Sequence, residues 1–178
     1  GVGEIGLDRW IENYDLDAQR EAFEWQLCFA RRENRPVTIH CLKAWGALQE
    51  SLQSAKVPER GFLLHSYGGS AEMIKALAKM GGYFSVSGYF AWDRKASQRE
   101  ALRHIPLDRL LVETDAPDML GPPSCREFEY EEDDALNHPA NIASVYRFVA
   151  GLFGLELEEL AEQVARNYRS FFGRERGR

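Results

Sequence analysis

Long apolar runs are missing from this 178-residue sequence, and cysteine and histidine are scarce. No run approaches the roughly 20 apolar residues that a helix needs to cross a membrane. The first residues also lack the basic segment followed by an apolar one that marks a secretory signal. The composition, 44% hydrophobic and 28% charged, is ordinary for a globular domain with a core of its own.

The three cysteines form no Cys-x-x-Cys pair. Their odd number argues against a disulfide framework, and their spacing argues against a zinc knuckle, so a reducing, cytoplasmic location is expected. Cys41 directly follows His40 and could be a nucleophile. Neighbouring side chains of a strand point to opposite faces, however, and a packed free thiol is the favoured interpretation.

A basic excess is also missing, because the net charge is −6 and the pI is near 5.3. This charge does not suit a protein that grips duplex DNA without sequence preference. A nuclease remains compatible with it, since bound divalent ions can supply the positive charge that meets a phosphate.

Four short apolar runs of strand length carry, or end in, residues that can bind a metal. These runs are Val2–Asp8, Pro36–His40, Phe62–His65 and Leu110–Asp115. A fifth strand is predicted at Tyr83–Gly88, and the third is expected to reach Tyr67. Segments with helical spacing alternate with the strands, which predicts a parallel sheet with helical crossovers. The helices are expected after an Asp17 cap, over Lys43–Ala55, after a Ser70 cap, over Ala96–His104, from Pro139 to Phe153, and from Leu157 onward.

Histidines and carboxylates are good ligands for zinc, manganese and related ions, but here they lie far apart in the sequence. A β/α barrel would bring them together, because its catalytic groups sit at the carboxyl ends of the strands. Each residue has another interpretation when taken alone. His40 or His65 could be a hydrogen-bonded core histidine, Glu4 could pair with an arginine, and Asp115 could cap a turn. Their joint occurrence at strand ends favours a metal-dependent hydrolase.

The regular alternation stops between Ala116 and His138, where three prolines and an acidic run occur. An irregular stretch of this length after a strand is often functional. The acidic run itself is better explained as a solvated surface.

Several of these segments together resemble the TatD family of metal-dependent deoxyribonucleases. The resemblance covers nearly the whole chain in the correct order. It rests on Gly3-Glu4-Ile5-Gly6-Leu7-Asp8, Gln19–Ala30, Pro36-Val37-Thr38-Ile39-His40, Leu64-His65-Ser66-Tyr67-Gly68-Gly69, Glu113-Thr114-Asp115-Ala116-Pro117, Asn137-His138-Pro139-Ala140-Asn141 and Asn167–Gly173.

The resemblance implies an α/β fold, a TIM-like (β/α)₈ barrel of the metal-dependent hydrolase type, with two divalent ions (Mg, Mn or Zn). It implies that Glu4 bridges the two metals and that His40 and His65 complete the second site. Asp115 would bind the first metal and act as a candidate general base. The family's His-x-His pair, which also serves the first site, is absent from this sequence. We interpret His104 as structural and leave the role of His138 open.

About five C-terminal β/α units of such a barrel account for the chain, which predicts an open partial barrel and a single domain over residues 1–178. The first strand begins at once, so we expect the chain to start partway through a larger protein. Without the remaining units the chain alone is expected to be impaired as an enzyme. The complete protein is expected to be a monomer.

The expected reaction is phosphodiester hydrolysis by a metal-activated water, with single-stranded or 3′-ended DNA as the substrate. Asp8 and Glu113 are expected to orient the ligands. Ser66 and Tyr67 either contact the substrate or pack in the core. Lys43 is a candidate phosphate contact, in a place where the family often has arginine.

Two alternatives remain open at this point. The same fold could serve an amidohydrolase that cleaves amide or ester bonds, because barrels host many chemistries. Against it, the ligand set contains no lysine that would suggest a carbamylated bridge. The chain could also be an inactive fragment that acts as a scaffold.

Overall fold

A computed structural model describes residues 1–131 and 133–173 as a parallel sheet with helical crossovers. The five strands are β1 (Val2–Asp8), β2 (Val37–Leu42), β3 (Phe62–Leu64), β4 (Gly82–Val86) and β5 (Leu110–Val112). They lie side by side in the order β1-β2-β3-β4-β5, and every neighbouring pair is parallel. The predicted parallel sheet is therefore confirmed, and its strand order is that of consecutive β/α units.

Helices follow each strand, as the alternating sequence pattern predicts. They are α1 (Leu16–Arg32), α2 (Trp45–Ala55), α3 (Ala71–Lys79), α4 (Ala96–Leu102), α5 (Ile142–Phe153) and α6 (Leu157–Phe172). None of the helices in the described part of the chain is long and apolar enough to cross a membrane. The open partial barrel formed by this chain, the eight-stranded barrel of the complete protein and the single-domain boundary stay predictions.

The core lies between the sheet and the helices that pack against it. Phe23 and Leu27 of α1 and Leu48 of α2 are almost completely buried. They pack in one cluster with strand residues such as Ile39 and Leu64. Burying a side chain of this size stabilises the fold by about 1.5–3 kcal/mol. The core therefore holds the strand ends in fixed register.

Two predicted helix starts are wrong for local reasons. The helix α1 is capped by Asp15, not Asp17, because the Asp15 carboxylate accepts a 3.0 Å hydrogen bond from the amide of Ala18. Asp17 instead lies in the first turn, where its charge suits the helix dipole. The helix α2 begins at Trp45, because Lys43 has a left-handed backbone with φ of 56°.

The strands β3 and β5 end earlier than predicted. Ser66, with φ of 42°, turns the chain away two residues after β3, and Asp115, with φ of 60°, does so three residues after β5. Left-handed conformations interrupt an extended strand, so these residues sit on short turns beyond it. The helix end predicted at His104 is also too late, since α4 stops at Leu102. The polar sequence of Arg174–Arg178 predicts a frayed tail, and these residues lie outside the described part of the chain.

Candidate metal centre

The sheet register brings the first two predicted histidine ligands to one edge. His40 pairs with Gly6 of β1, and Ile39 pairs with Leu64 of β3. His65, the next residue, continues this pairing by donating its amide to the carbonyl of Ile39 at 3.0 Å. Both histidines therefore lie at the carboxyl ends of neighbouring strands, where barrel enzymes keep their catalytic groups.

Glu4 reaches the same place from inside β1 rather than from its end. The register with β2 shifts here, so Gly3 and Glu4 together stand opposite Thr38, which is the arrangement of a β-bulge. The Glu4 carboxylate then lies 3.5 Å from Nε2 of His65 and 3.8 Å from Nδ1 of His40. The bulge thus aims a carboxylate between the two rings, and no sequence periodicity indicates it.

Gly6 allows the backbone of β1 to approach His40. A Cβ at this position would lie 1.8 Å from the carbonyl oxygen of His40, far inside van der Waals contact. A side chain is therefore incompatible with the observed spacing of β1 and β2. The second glycine of Gly3-Glu4-Ile5-Gly6 is thus a packing requirement of the site.

His65 lies between two carboxylates that contact its two ring nitrogens. Nε2 is 3.2 Å from Oδ1 of Asp115, and Nδ1 is 3.0 Å from Oε2 of Glu113. Partial burial works to lower the pKa of His65, but the bonds to Asp115 and Glu113 outweigh it and raise the pKa to about 10. In the absence of a metal His65 is therefore an imidazolium, and a metal must displace its proton to bind.

His40 is held in a similar way by Asp8. Oδ2 of Asp8 lies 3.0 Å from Nε2 of His40, which leaves Nδ1 on the side of Glu4. Gln19 of α1 in turn holds the backbone of Asp8 through two 2.8 Å hydrogen bonds, one to its amide and one to its carbonyl. Gln19 is a support of the site that residue-by-residue analysis missed, although it stands at the start of the Gln19–Ala30 segment.

The four predicted ligands fit a divalent metal in chemical type, and three of them, His65, Glu4 and Asp115, also fit it in pair spacing. Two donors bound to a tetrahedral ion at about 2.1 Å lie about 3.4 Å apart. Nε2 of His65 is 3.5 Å from Glu4 and 3.2 Å from Asp115, close to that value. In residues 1–131 and 133–173, however, no group of three or more His, Cys, Asp and Glu is already arranged to hold an ion. The side chains must therefore rotate before three donors meet one ion.

Ser66 and Tyr67 have different surroundings. The amide of Ser66 donates to Oε1 of Glu113 at 2.8 Å and to the hydroxyl of Ser85 at 3.1 Å, and its own hydroxyl lies 3.1 Å from that of Ser87. Tyr67 is only 1% exposed, and its hydroxyl donates to the carbonyl of Ser70. The structure supports the packing interpretation for Tyr67, because a buried ring cannot touch a substrate.

Cys41 and Lys43 flank the site without facing its centre. Cys41 is buried, and burial raises the pKa of its thiol to about 12, which excludes a thiolate nucleophile at neutral pH. Lys43 is exposed, and its ammonium lies 3.8 Å above the ring of Trp10. The candidate phosphate contact therefore lies at the rim of the site, on an aromatic ring.

Three buried asparagines hold the chain around β5. Asn137 donates to the carbonyl of Thr114 at 2.8 Å, and Asn141 contacts Asn137 and the backbone of Phe128. Asn167 of α6 donates to the carbonyl of Leu110 at 2.7 Å. Buried carbonyls need such partners, so the asparagine motifs position the segment that carries Asp115.

The other two histidines stand apart from the four predicted ligands. His138 accepts a 3.1 Å hydrogen bond from the amide of Ala140, stacks on Phe128 and packs against the tilted ring of Tyr130. His104 is exposed in the turn after α4. His138 therefore organises the loop before α5, and the structural interpretation of His104 suits its position.

Comparison with known proteins identifies relatives across almost the whole chain. The model of the TatD related DNase family matches residues 1–173. The chain is 34% identical over 171 residues to the uncharacterized metal-dependent hydrolase YcfH of Escherichia coli K12, covering 96% of this chain and 62% of that protein. It is 33% identical over 174 residues to a protein of Pantoea ananatis named 3′-5′ ssDNA/RNA exonuclease TatD, covering 97% of this chain and 65% of the relative.

The fold is also similar to solved structures. The crystal structure of YjjV, a TatD homologue from Escherichia coli K12, superimposes with a TM-score of 0.86 at 26% identity, covering 97% of this chain and 63% of that one. The chain thus spans less than two thirds of the length of these relatives. The family model, the sequence identity and the fold agree, and the chain belongs to the TatD related DNase family.

Proposed function

We propose that this chain carries most of the metal-binding centre of a divalent-metal-dependent hydrolase that cleaves phosphodiester bonds of nucleic acid. The observation that supports this proposal is the meeting of Glu4, His65 and Asp115 at one edge of the sheet, with 3.5 Å and 3.2 Å between the donor atoms. Such a mixed imidazole and carboxylate set suits Zn, Mn or Mg, and two ions are expected.

In this proposal each donor has a separate part. Glu4 faces both histidines and would bridge two ions, while His40 and His65 would complete one of the two sites. Asp115 would hold the other ion and is the candidate general base. Bound ions would lower the pKa of a water molecule and neutralise the phosphate charge.

Asp8 and Glu113 would act as positioning residues. Each contacts one imidazole nitrogen at 3.0 Å and leaves the other nitrogen directed at Glu4. A carboxylate in this place fixes the ring orientation of a ligating histidine and increases its basicity. Glu113 also accepts the amide of Ser66, so it couples His65 to the turn after β3.

Nucleic acid as the substrate is supported by the relatives and compatible with the charge. The Pantoea proteins that are 32% and 33% identical are named 3′-5′ ssDNA/RNA exonucleases. The net charge of −6 does not favour nonspecific binding to duplex DNA. A single strand that is held by metal ions and by residues around the site requires less positive charge on the protein. We extend the proposal to a cytoplasmic monomer acting on single-stranded or 3′-ended DNA.

The 178 residues alone are expected to show little nuclease activity. The four histidines of the sequence contain no His-x-His pair, so the site shared by Glu4 and Asp115 has few donors of its own. A weakly held first ion would impair the reaction while leaving the His40 and His65 site able to bind.

The test uses the protein expressed from its whole reading frame and end-labelled single-stranded DNA with Mg²⁺, Mn²⁺ or Zn²⁺. Release of nucleotides is expected, and His65→Ala should abolish it. His104→Ala is the matched control, because His104 is exposed in the turn after α4 and none of its described hydrogen bonds reaches a candidate ligand. That variant should keep the wild-type rate.

A parallel panel of amides and carboxylic esters separates the alternatives. Hydrolysis of the panel without release of nucleotides would favour an amidohydrolase. Inactivity on every substrate with all three ions would reject the enzymatic proposal and favour a scaffold.

A further inference from the structure

An exposed aromatic and cationic surface adjoins the candidate metal centre. Trp10 is 64% exposed and Tyr14 is 37% exposed, both in the loop between β1 and α1. Two cations lie on these rings, Lys43 on Trp10 and Arg9 on Tyr14. We call these four residues the aromatic rim. Exposed aromatic rings are costly to keep in water, so two of them in one loop beside a candidate site indicate a binding surface.

The geometry of the aromatic rim matches the parts of a nucleotide. Nζ of Lys43 lies 3.8 Å from the centre of the Trp10 ring, and the Arg9 guanidinium lies 5.4 Å from that of Tyr14. The Nε of Arg9 also donates to the Tyr14 hydroxyl at 3.1 Å. Each cation covers one face of its ring, so a base would stack on the other face, and the cations can meet phosphates.

The aromatic rim is joined to the ligand residues by hydrogen bonds. The amide of Trp10 donates to Oδ1 of Asp8 at 2.6 Å, and Oδ2 of the same carboxylate contacts His40. The amide of Arg9 donates to the carbonyl of Leu42 at 3.0 Å, which ties the loop to the end of β2. Asp8 is therefore shared between the aromatic rim and the histidine.

A second exposed aromatic pair shows what a surface patch without this connection looks like. Trp25, 69% exposed, stacks on Phe29 in the middle of α1, with centroids 6.2 Å apart, and Arg32 lies over Phe29. This pair has similar residue types, but none of its described hydrogen bonds reaches a candidate ligand. The aromatic rim differs from the Trp25–Phe29 pair because it lies at the edge of the candidate metal centre.

We propose that the aromatic rim binds single-stranded nucleic acid beside the scissile phosphate, with bases stacked on Trp10 and Tyr14 and phosphates near Arg9 and Lys43. This inference rests on the proposed function and adds the part of the substrate that the metal centre does not hold. Stacking accepts every base, so the aromatic rim would grip a strand without reading its sequence. Glu12 and Asp15, in the same loop, are the charges that oppose the strand.

The test measures binding apart from cleavage. Anisotropy of short fluorescent single strands, of DNA and of RNA, is recorded in EDTA, where metal-dependent hydrolysis cannot occur. Trp10→Ala should weaken binding at least about fivefold, the lower end of what one stacked base contributes. An abasic strand of the same length should bind wild type and Trp10→Ala equally, because it has no base to stack.

Controls separate stacking from general damage. Trp25→Ala removes an equally exposed tryptophan and should leave binding unchanged, while Trp10→Phe keeps a π-face and should retain most of it. Lys43→Ala should weaken both the normal and the abasic strand. Lys56→Ala, a change at an exposed lysine with the same φ of 56° at the end of α2, should weaken neither.

The outcomes for this inference and for the proposed function are distinct. Equal loss of affinity in Trp10→Ala and Trp25→Ala, an unchanged Trp10→Ala, or no measurable binding overturns the aromatic rim. Binding that depends on Trp10 in a protein that cleaves no phosphodiester would keep the rim and reject the nuclease. Cleavage of phosphodiesters by a protein whose binding does not depend on Trp10 would keep the nuclease proposal and reject the aromatic rim.

Discussion

Oε2 of Glu113 lies 3.0 Å from Nδ1 of His65, and this contact directs the opposite ring nitrogen towards Glu4 and Asp115. The two residues come from the ends of β5 and β3, which are separated in the sheet by β4. The carboxylate thus reaches across one strand to orient a candidate ligand.

Glu113→Gln should weaken divalent metal binding by about 10- to 100-fold, because the amide no longer makes His65 a stronger base. The pKa of metal-free His65 should also fall, since one of the two carboxylates that raise it is removed. Calorimetric titration with Mn²⁺ measures the first effect, and the NMR titration of His65 measures the second. Glu100→Gln, at an exposed glutamate paired with Arg103, should change neither. An unaltered His65 pKa in Glu113→Gln would contradict the positioning role.

The stability of the metal-free chain should depend on pH through His65. Its pKa is raised from 6.5 to about 10 in the folded state, so the folded state binds the proton more tightly than the unfolded one. The resulting stabilisation is fully present below pH 6.5 and is lost as pH rises through about 10. Urea titrations in EDTA measure the free energy of unfolding of wild type and of His65→Gln. The difference between the two should be largest near pH 6.5. A difference that does not shrink towards pH 10 would contradict the assigned contacts.

Gly6→Ala should destabilise the fold by at least about 2 kcal/mol, because the added Cβ would collide with the carbonyl oxygen of His40. The free energy of unfolding from a urea titration measures the effect. Gly151→Ala is the matched control: nothing lies near a Cβ at this position inside α5, and alanine should stabilise that helix by about 0.5–1 kcal/mol. Equal effects of the two substitutions would show that β1 does not need its close approach to β2.

Thiol labelling should distinguish the three cysteines. Cys28 is exposed, whereas Cys41 and Cys125 are buried and burial raises the pKa of both thiols. Iodoacetamide at neutral pH should modify the native chain once, and mass spectrometry should locate the label on Cys28. Cys28→Ser should then remain unlabelled until urea is added. Rapid modification of Cys41 in the native chain would restore the nucleophile interpretation.

Much of the architecture could be predicted from the sequence because it depends on local patterns. Apolar runs placed the five strands, helical spacing placed the helices between them, and Ser70 was found at the start of α3 as expected. Strand ends also indicated that His40 and His65 would be neighbours, since parallel strands share one edge. Element limits were less accurate at Asp17 and Lys43, where one capping contact or one left-handed residue decides.

The fine structure of the centre depends on contacts between distant residues and could not be predicted this way. The bulge at Glu4 requires the pairing of β1 with β2, which the spacing of apolar residues does not show. The bond from Gln19 to the backbone of Asp8 and that from Asn167 to Leu110 join residues far apart in the chain. Periodicity marks Gln19 and Asn167 only as polar residues in helices, and the family resemblance marks the segments that they begin without assigning their contacts.

The most direct test of the account is metal binding by the 178-residue chain itself. Calorimetric titration with Mn²⁺ or Zn²⁺ should show saturable binding that His65→Ala and Glu4→Gln abolish and that His104→Ala leaves unchanged. Loss of binding in the first two variants with retained circular dichroism would support a centre formed by the strand-end residues. Wild-type affinity in His65→Ala, or no binding by the wild-type chain, would contradict it.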